Sequence, residues 1–323
     1  MDRFDTLIQE LRRRVPQLEL REQEPMSSYT TFRIGGPARL IALPRSRKEA
    51  VAAVQAAKEL DISPFFLGNG SDLLVSDQGY NGFVLKTSGL DDVREVNHRL
   101  WAESGIPLAR LAMAALGRGL TGLEFAHGIP GTLGGGVTMN AGAYGGELVQ
   151  VLTSVTFLNE AGDVVTLPVE ECALTYRHSL FTDHPEWLIL EAEFALTPGD
   201  PAAIKAKMDE LAQKRRSKQP LDLPSAGSTF KRPEGHFAAA LIEQCGLKGV
   251  GVGGAQVSEK HAGFVVNRGG ATADDVRRLM ELIQNTVLRE TGIALEPEVK
   301  FWVFEVSSYG FYYYFRSVRR RQE

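Results

Sequence analysis

The sequence predicts an α+β protein with α/β elements, on three observations. Short apolar strands alternate with amphipathic helices over the first ninety residues, as in an α/β unit. Beyond them, three strand-like runs follow one another, VLTSVTFLN, DVVTLP and WLILEAEFAL, an α+β arrangement. The chain has 323 residues, 43% hydrophobic and 24% charged, enough for two or three domains around sizeable cores.

The elements follow in order. Phe4, Leu7, Ile8, Leu11 and Val15 recur at helical spacing and predict a short opening helix. ARLIALP (38–44) reads as a strand, and Ser46 with Glu49 forms a capping box for an alanine-rich helix reaching about Leu60. PFFLGNG is a strand entering a glycine turn, and GFVLKT (82–87) is another strand. A helix from Leu108 to Leu116 leads into a glycine-rich region. TPGDPAA (197–203) marks a boundary, after which a charged helix ends in KRRSKQP. A helix around Phe237–Cys245, the strand GFVVN and a long helix begun by Thr272 or Asp274 complete the expectation, with Val276, Leu279, Met280, Ile283 and Val287 on one face. The division expected is 1–88, 89–198, 199–302 and an aromatic and basic tail, 303–323.

Composition excludes several function classes. With 36 Lys+Arg against 40 Asp+Glu the net charge is -4, without the basic excess of a nucleic-acid binder. Cys172 and Cys245 lie 73 positions apart, outside any CxxC or His ligand spacing, so reduced thiols and no metal site are expected. MDRFDTLIQELRRRVP has no apolar run suited to a signal peptide or membrane span, which predicts a cytoplasmic protein. Glycine is in surplus: 33 residues against about 23 at ordinary usage. Eleven of them fall between 117 and 146.

Two glycine loops are candidates for anion binding. LGNGSDLLV (67–75) follows a strand, but Leu73 occupies the third fingerprint position and breaks the Rossmann pattern. GVGGAQ (251–256) fails on spacing, and without a Gly-Lys pair there is no P-loop. GLEFAHGIPGTLGGGVTMNAGAYGGE (122–147) could converge backbone N–H groups on a diphosphate, or could simply be a tightly turned core loop.

TTFRIGGPA (30–38), LGNGSDLLV and the 122–147 string resemble the flavin-binding half of the UDP-N-acetylenolpyruvoylglucosamine reductase (MurB) family. YRHSLF (176–181), PSAGSTFKRP (224–233) and LEPEVKFW (295–302) extend the resemblance over most of the chain. It implies a two-part FAD-binding region of the vanillyl-alcohol-oxidase (PCMH) type and a C-terminal α+β substrate domain. FAD would be held noncovalently by Arg33, Gly35, Gly68, Asn69, Gly70, Ser71, Gly128, Ile129, Pro130, Gly131, Thr132, Gly134, Asn140, Ala141 and Gly142. It implies as partners UDP-N-acetylglucosamine enolpyruvate and NADPH, the hydride donor, with UDP-N-acetylmuramate, a peptidoglycan precursor, as product.

Reducing an enolpyruvyl ether needs a hydride at one carbon, a proton at its neighbour and a cation for the substrate carboxylate. Arg177, in YRHS, matches the family's catalytic arginine; its bland alternative is a surface ion pair. Ser228 matches the proton donor and could equally be a turn serine. Glu298 matches the catalytic glutamate, although in a strand Glu296 would point the same way and pattern alone cannot choose. The resemblance implies substrate contacts from Tyr144, Tyr176, Lys218 and Arg232, with Arg232 departing from the asparagine frequent there. Only 51 positions separate Arg177 from Ser228, too few for the tyrosine-bearing loop of the longer class, so the compact second class is expected. His127 is expected to be a packed loop histidine. Residues 301–315 hold 9 of the 27 aromatics, and an extra strand or self-association patch is expected from YGFYYYF. A flavin oxidase and a noncatalytic nucleotide-sugar module are the competing functional readings.

Overall fold

The computed structural model describes residues 2–302; the expected tail at 303–323 lies outside the described residues. The opening helix, Arg3–Arg14, begins at Asp2, whose carboxylate accepts from Phe4 N at 2.8 Å, and three arginines occupy its last turn. Both ends therefore complement the helix dipole. Phe4, Leu7 and Leu11 form its buried face. They pack with Ala50, Ala53, Ala56 and Ala57 of the helix Arg47–Lys58, whose small side chains allow close approach. Ser46 caps that helix through Glu49 N, but the Glu49 carboxylate accepts from Arg45 N, so only half of the expected box forms.

Beside these helices lies a four-stranded sheet ordered Glu19–Pro25, Pro37–Leu43, Tyr80–Lys86, Pro64–Leu67. Its first pair is antiparallel and the other two pairs are parallel. A second sheet is wholly antiparallel, ordered Val164–Pro168, Leu152–Leu158, Leu188–Ala195, Arg99–Glu103, Val93–Val96. Arg47, from the first helical layer, pairs with Glu103 at 2.9 Å and with Glu191 of this second sheet.

A third group combines three short antiparallel strands, Gly251–Val252, Ala255–Val257 and Val265–Asn267, with the helix Ala273–Thr291. Thr272 and Asp275 form its capping box, and Gly292 ends it with φ 74°. The five apolar residues expected on one face, Val276 to Val287, are all buried.

Two features cross these groups. Lys300–Trp302 runs parallel to Leu73–Val75, with Lys300 opposite Leu73. Phe32, Ile34 and Leu74 share a core with Val276, Leu279 and Ile283. The end of the described chain is thus bound into the neighbourhood of the first glycine loop. The 122–147 region also departs from a simple turn: Leu133–Thr138, LGGGVT, forms a helix. It does so despite three glycines, because Leu133 and Val137 are buried in the second core and Gly136 admits the side chains of Leu108 and Leu148.

Candidate active site

The two glycine loops meet. Ser71 Oγ donates to the Pro130 carbonyl at 3.3 Å, and a Cβ added at Gly68 would overlap the Thr132 hydroxyl. Gly70 has φ 57°, and a side chain there would strike the Tyr29 carbonyl. Backbone this close to a facing loop requires glycine. Among the described residues, the N–H groups of Asn69, Gly70, Ser71 and Gly131 donate to no protein acceptor.

The loops border a cavity of about 980 Å³. Four buried side-chain atoms lack a hydrogen-bond partner among the described residues: Ser104 Oγ, His127 Nδ1, Thr132 Oγ1 and Arg215 Nε. All four residues line this cavity. Orphaned polar atoms are costly unless something satisfies them, so a polar, extended ligand fits here. Free backbone amides beside a cavity of this size suit the diphosphate of a dinucleotide such as FAD.

Of the residues expected to hold the cofactor, all but Gly35 and Asn140 line the cavity. Gly35 serves packing, since a Cβ there would lie 2.9 Å from Met26 Cβ and from Val75 Cβ. The Asn140 side chain is spent internally, donating to Glu147 at 3.0 Å and to the Thr175 carbonyl at 3.2 Å, and accepting from Val149 N at 3.0 Å. It braces the glycine loop against the turn that carries Arg177.

Arg177, Ser228 and Glu298 open on the same cavity. Arg177 adopts φ 55° between Thr175 and His178, which bridge each other, so the turn itself aims its side chain. Its Nε donates to Glu298 Oε1 at 2.6 Å, with the carboxylate side chain 15% exposed. Burial pushes the Glu298 carboxyl above the usual carboxylate range, aided by the like charge of Asp72 and opposed by Arg177. Ser228 follows Gly227, which turns at φ 75°. Glu298 N donates to the Thr229 carbonyl at 2.9 Å, and Phe230 bridges Pro297. Two segments far apart in the chain, Thr229–Phe230 and Pro297–Glu298, are thereby stitched side by side.

Glu296 and Glu298 do not point the same way. The segment is irregular rather than an extended strand, and Glu296 instead pairs with Lys231 at 2.6 Å. The four residues expected at substrate lie outside the cavity lining. Tyr176 accepts from Arg232 N at 3.2 Å and has the Arg177 guanidinium 5.1 Å from its ring centroid. Arg232 lies over Phe237 at 4.6 Å, Tyr144 is exposed, and Lys218 is at the exposed end of its helix.

Sequence reasoning missed Arg215. Burial pulls its guanidinium pKa down, and it borders Gly128 in the cavity wall. The signal was present: Ile204, Met208 and Leu211 mark a buried helical stripe, and position 215 continues it. His127, expected as a packed histidine, is half-buried in the cavity wall, with its Nδ1 atom buried and unpartnered among the described residues. Among the described residues no cluster of His, Cys, Asp or Glu could hold a metal ion, and no helix is long and apolar enough to cross a membrane.

Fold and site together define a flavin-dependent oxidoreductase. Residues 38–168 match the family model described as FAD binding domain, and residues 219–302 match that of the UDP-N-acetylenolpyruvoylglucosamine reductase C-terminal domain. The chain is 46% identical over 296 residues to the UDP-N-acetylenolpyruvoylglucosamine reductase of Caldanaerobacter subterraneus subsp. tengcongensis, covering 92% of this chain and 98% of the relative. It is 47% identical over 282 residues to that of Clostridium novyi, covering 87% and 92%. The crystal structure of the Thermus caldophilus reductase (MurB) superposes with a TM-score of 0.75 at 32% identity, covering 89% of this chain and 99% of the other. The chain belongs to the UDP-N-acetylenolpyruvoylglucosamine reductase family. Its fold is accordingly a two-part FAD-binding region with a C-terminal α+β domain.

Proposed function

We propose that this protein reduces UDP-N-acetylglucosamine enolpyruvate to UDP-N-acetylmuramate with electrons from NADPH, in the cytoplasmic synthesis of peptidoglycan precursors. The observation that carries the reading is the Arg177–Glu298 pair at 2.6 Å, opening with Ser228 on the cavity that the glycine loops border. FAD, when bound on those loops and reduced by NADPH, supplies the hydride to the enolpyruvyl double bond.

The chain's own residues perform the remainder. Arg177 holds the substrate carboxylate and stays charged as enolate-like charge develops on it. Glu298 keeps the guanidinium oriented, and its raised proton affinity suits a shared proton beside that charge. Ser228 donates the proton to the neighbouring carbon; a hydroxyl is a weak acid, but a carbanion-like enolate is a strong base. The segment 199–302 contributes Ser228 and Glu298 and closes the substrate side. Tyr144, Tyr176, Lys218 and Arg232 are assigned to the rim, where the nucleotide end of a long substrate would extend.

The test is stepwise. Under anaerobic conditions NADPH should bleach the yellow protein, and enolpyruvyl-UDP-N-acetylglucosamine should restore the colour. A chain that purifies without flavin, or a bleached protein that this substrate leaves bleached, would sink the reading.

A further inference from the structure

Lys86 ends the strand Tyr80–Lys86 directly behind the first glycine loop, with Leu67 as its partner in register. Its ammonium donates to the Gly68 carbonyl at 2.7 Å, and the next residue, Thr87, donates from its hydroxyl to the Leu67 carbonyl at 3.3 Å. Successive carbonyls leading into the loop are thus tied down by successive side chains. Among the described residues no carboxylate lies within ion-pair distance of Lys86. The titratable group facing it is Tyr29, whose ring centroid is 5.9 Å away and whose hydroxyl is held by Arg21 at 2.9 Å and Glu24 at 3.3 Å.

A half-buried ammonium without an ion-pair partner is costly, and burial pulls its pKa down to about 8. Peptide geometry says where its compensation would come from. No peptide bond is cis among the described residues, and in a trans peptide the carbonyl of one residue and the N–H of the next point in opposite directions. With the Gly68 carbonyl turned back onto Lys86, the Asn69 N–H is turned away from it, on a loop that borders the cavity.

We propose that Lys86 is a positioning residue for the diphosphate of FAD: it locks the 68–69 peptide with the Asn69 N–H presented to the anion and sets a positive charge one peptide behind. The inference rests on the flavin reading above. In the flavin-free protein the ammonium is a liability, and the bound anion relieves it.

The two effects have opposite signs, which makes the experiment decisive. Full-length wild type, Lys86→Met and Lys86→Arg are stripped of flavin, titrated with FAD, and melted without it. Lys86→Met should weaken FAD about tenfold or more while the melting temperature of the flavin-free chain holds or rises. Lys86→Arg should keep most of the affinity, and the Met defect should shrink at high salt. Unchanged FAD affinity in Lys86→Met would overturn the proposal, as would an affinity loss that arrives with a lower flavin-free melting temperature. A wild-type chain without FAD affinity would remove the flavin reading itself, and Lys86 with it.

Discussion

The glycine loops and the Arg177–Ser228–Glu298 constellation solve opposite problems. The loops bring backbone close to facing backbone and side chains at the cavity edge, and their requirement is the absence of side chains, as Gly68 facing Thr132 and Gly70 facing Tyr29 illustrate; under the proposed function that edge holds the flavin. The constellation brings functional groups together from three distant parts of the chain, and its requirement is tertiary stitching through Thr229, Phe230 and Pro297. One region should therefore fail by losing flavin, and the other by losing chemistry with flavin retained.

Ser228→Ala should have the largest effect. Reoxidation of the reduced enzyme by substrate should slow by about 10²- to 10⁴-fold, with flavin content and NADPH bleaching nearly normal. Equal loss of both half-reactions would break the contrast.

Gly70→Val should do the reverse. A β-branched residue at φ 57° against the Tyr29 carbonyl costs about 2–3 kcal/mol of strain, so a urea melt should shift and the protein should purify with little flavin. Full flavin content in this variant would show that the loop is not a close-approach surface.

Glu298→Gln sharpens the constellation through pH. Burial raises the Glu298 carboxyl above its ordinary value of 4.5, so the folded chain binds this proton more tightly than the unfolded chain does. The stability from this group is fully present below the unfolded value and is lost as pH rises through the raised folded value. Relative to the Gln variant, the wild-type melting temperature should fall across that window. The opposite trend would mean that Arg177 dominates the carboxylate.

Glu296→Gln should do least. Its pair with Lys231 is half-exposed, so stability should change by less than about 1 kcal/mol and activity should persist. An activity loss matching that of Glu298→Gln would make the two glutamates equivalent after all.

Much of this was legible in the sequence because the signals are local. Thr272 or Asp274 announces the start of the long helix, the structure selecting Thr272, and the apolar face from Val276 to Val287 lies where the 3.6-residue period puts it. The loop glycines were equally visible. Arg215 was concealed in a basic run, although the stripe Ile204, Met208, Leu211 leads directly to it. The helix through LGGGVT was invisible to propensity, because what stabilises it is burial of Leu133 and Val137 against distant residues.

By itself, the sequence determined where the two glycine loops fall, the Ser46 cap and the residue types available for chemistry, since each depends on neighbours a few positions away. Residue spacing left Glu296 and Glu298 equivalent and the family resemblance favoured Glu298; the tertiary structure alone decided that Glu296 turns to Lys231, that Lys300–Trp302 returns to Leu73–Val75, and that Lys86 stands behind Gly68. Those choices depend on pairings across long stretches of chain, where strand register and core packing set the geometry and residue spacing carries no record of it.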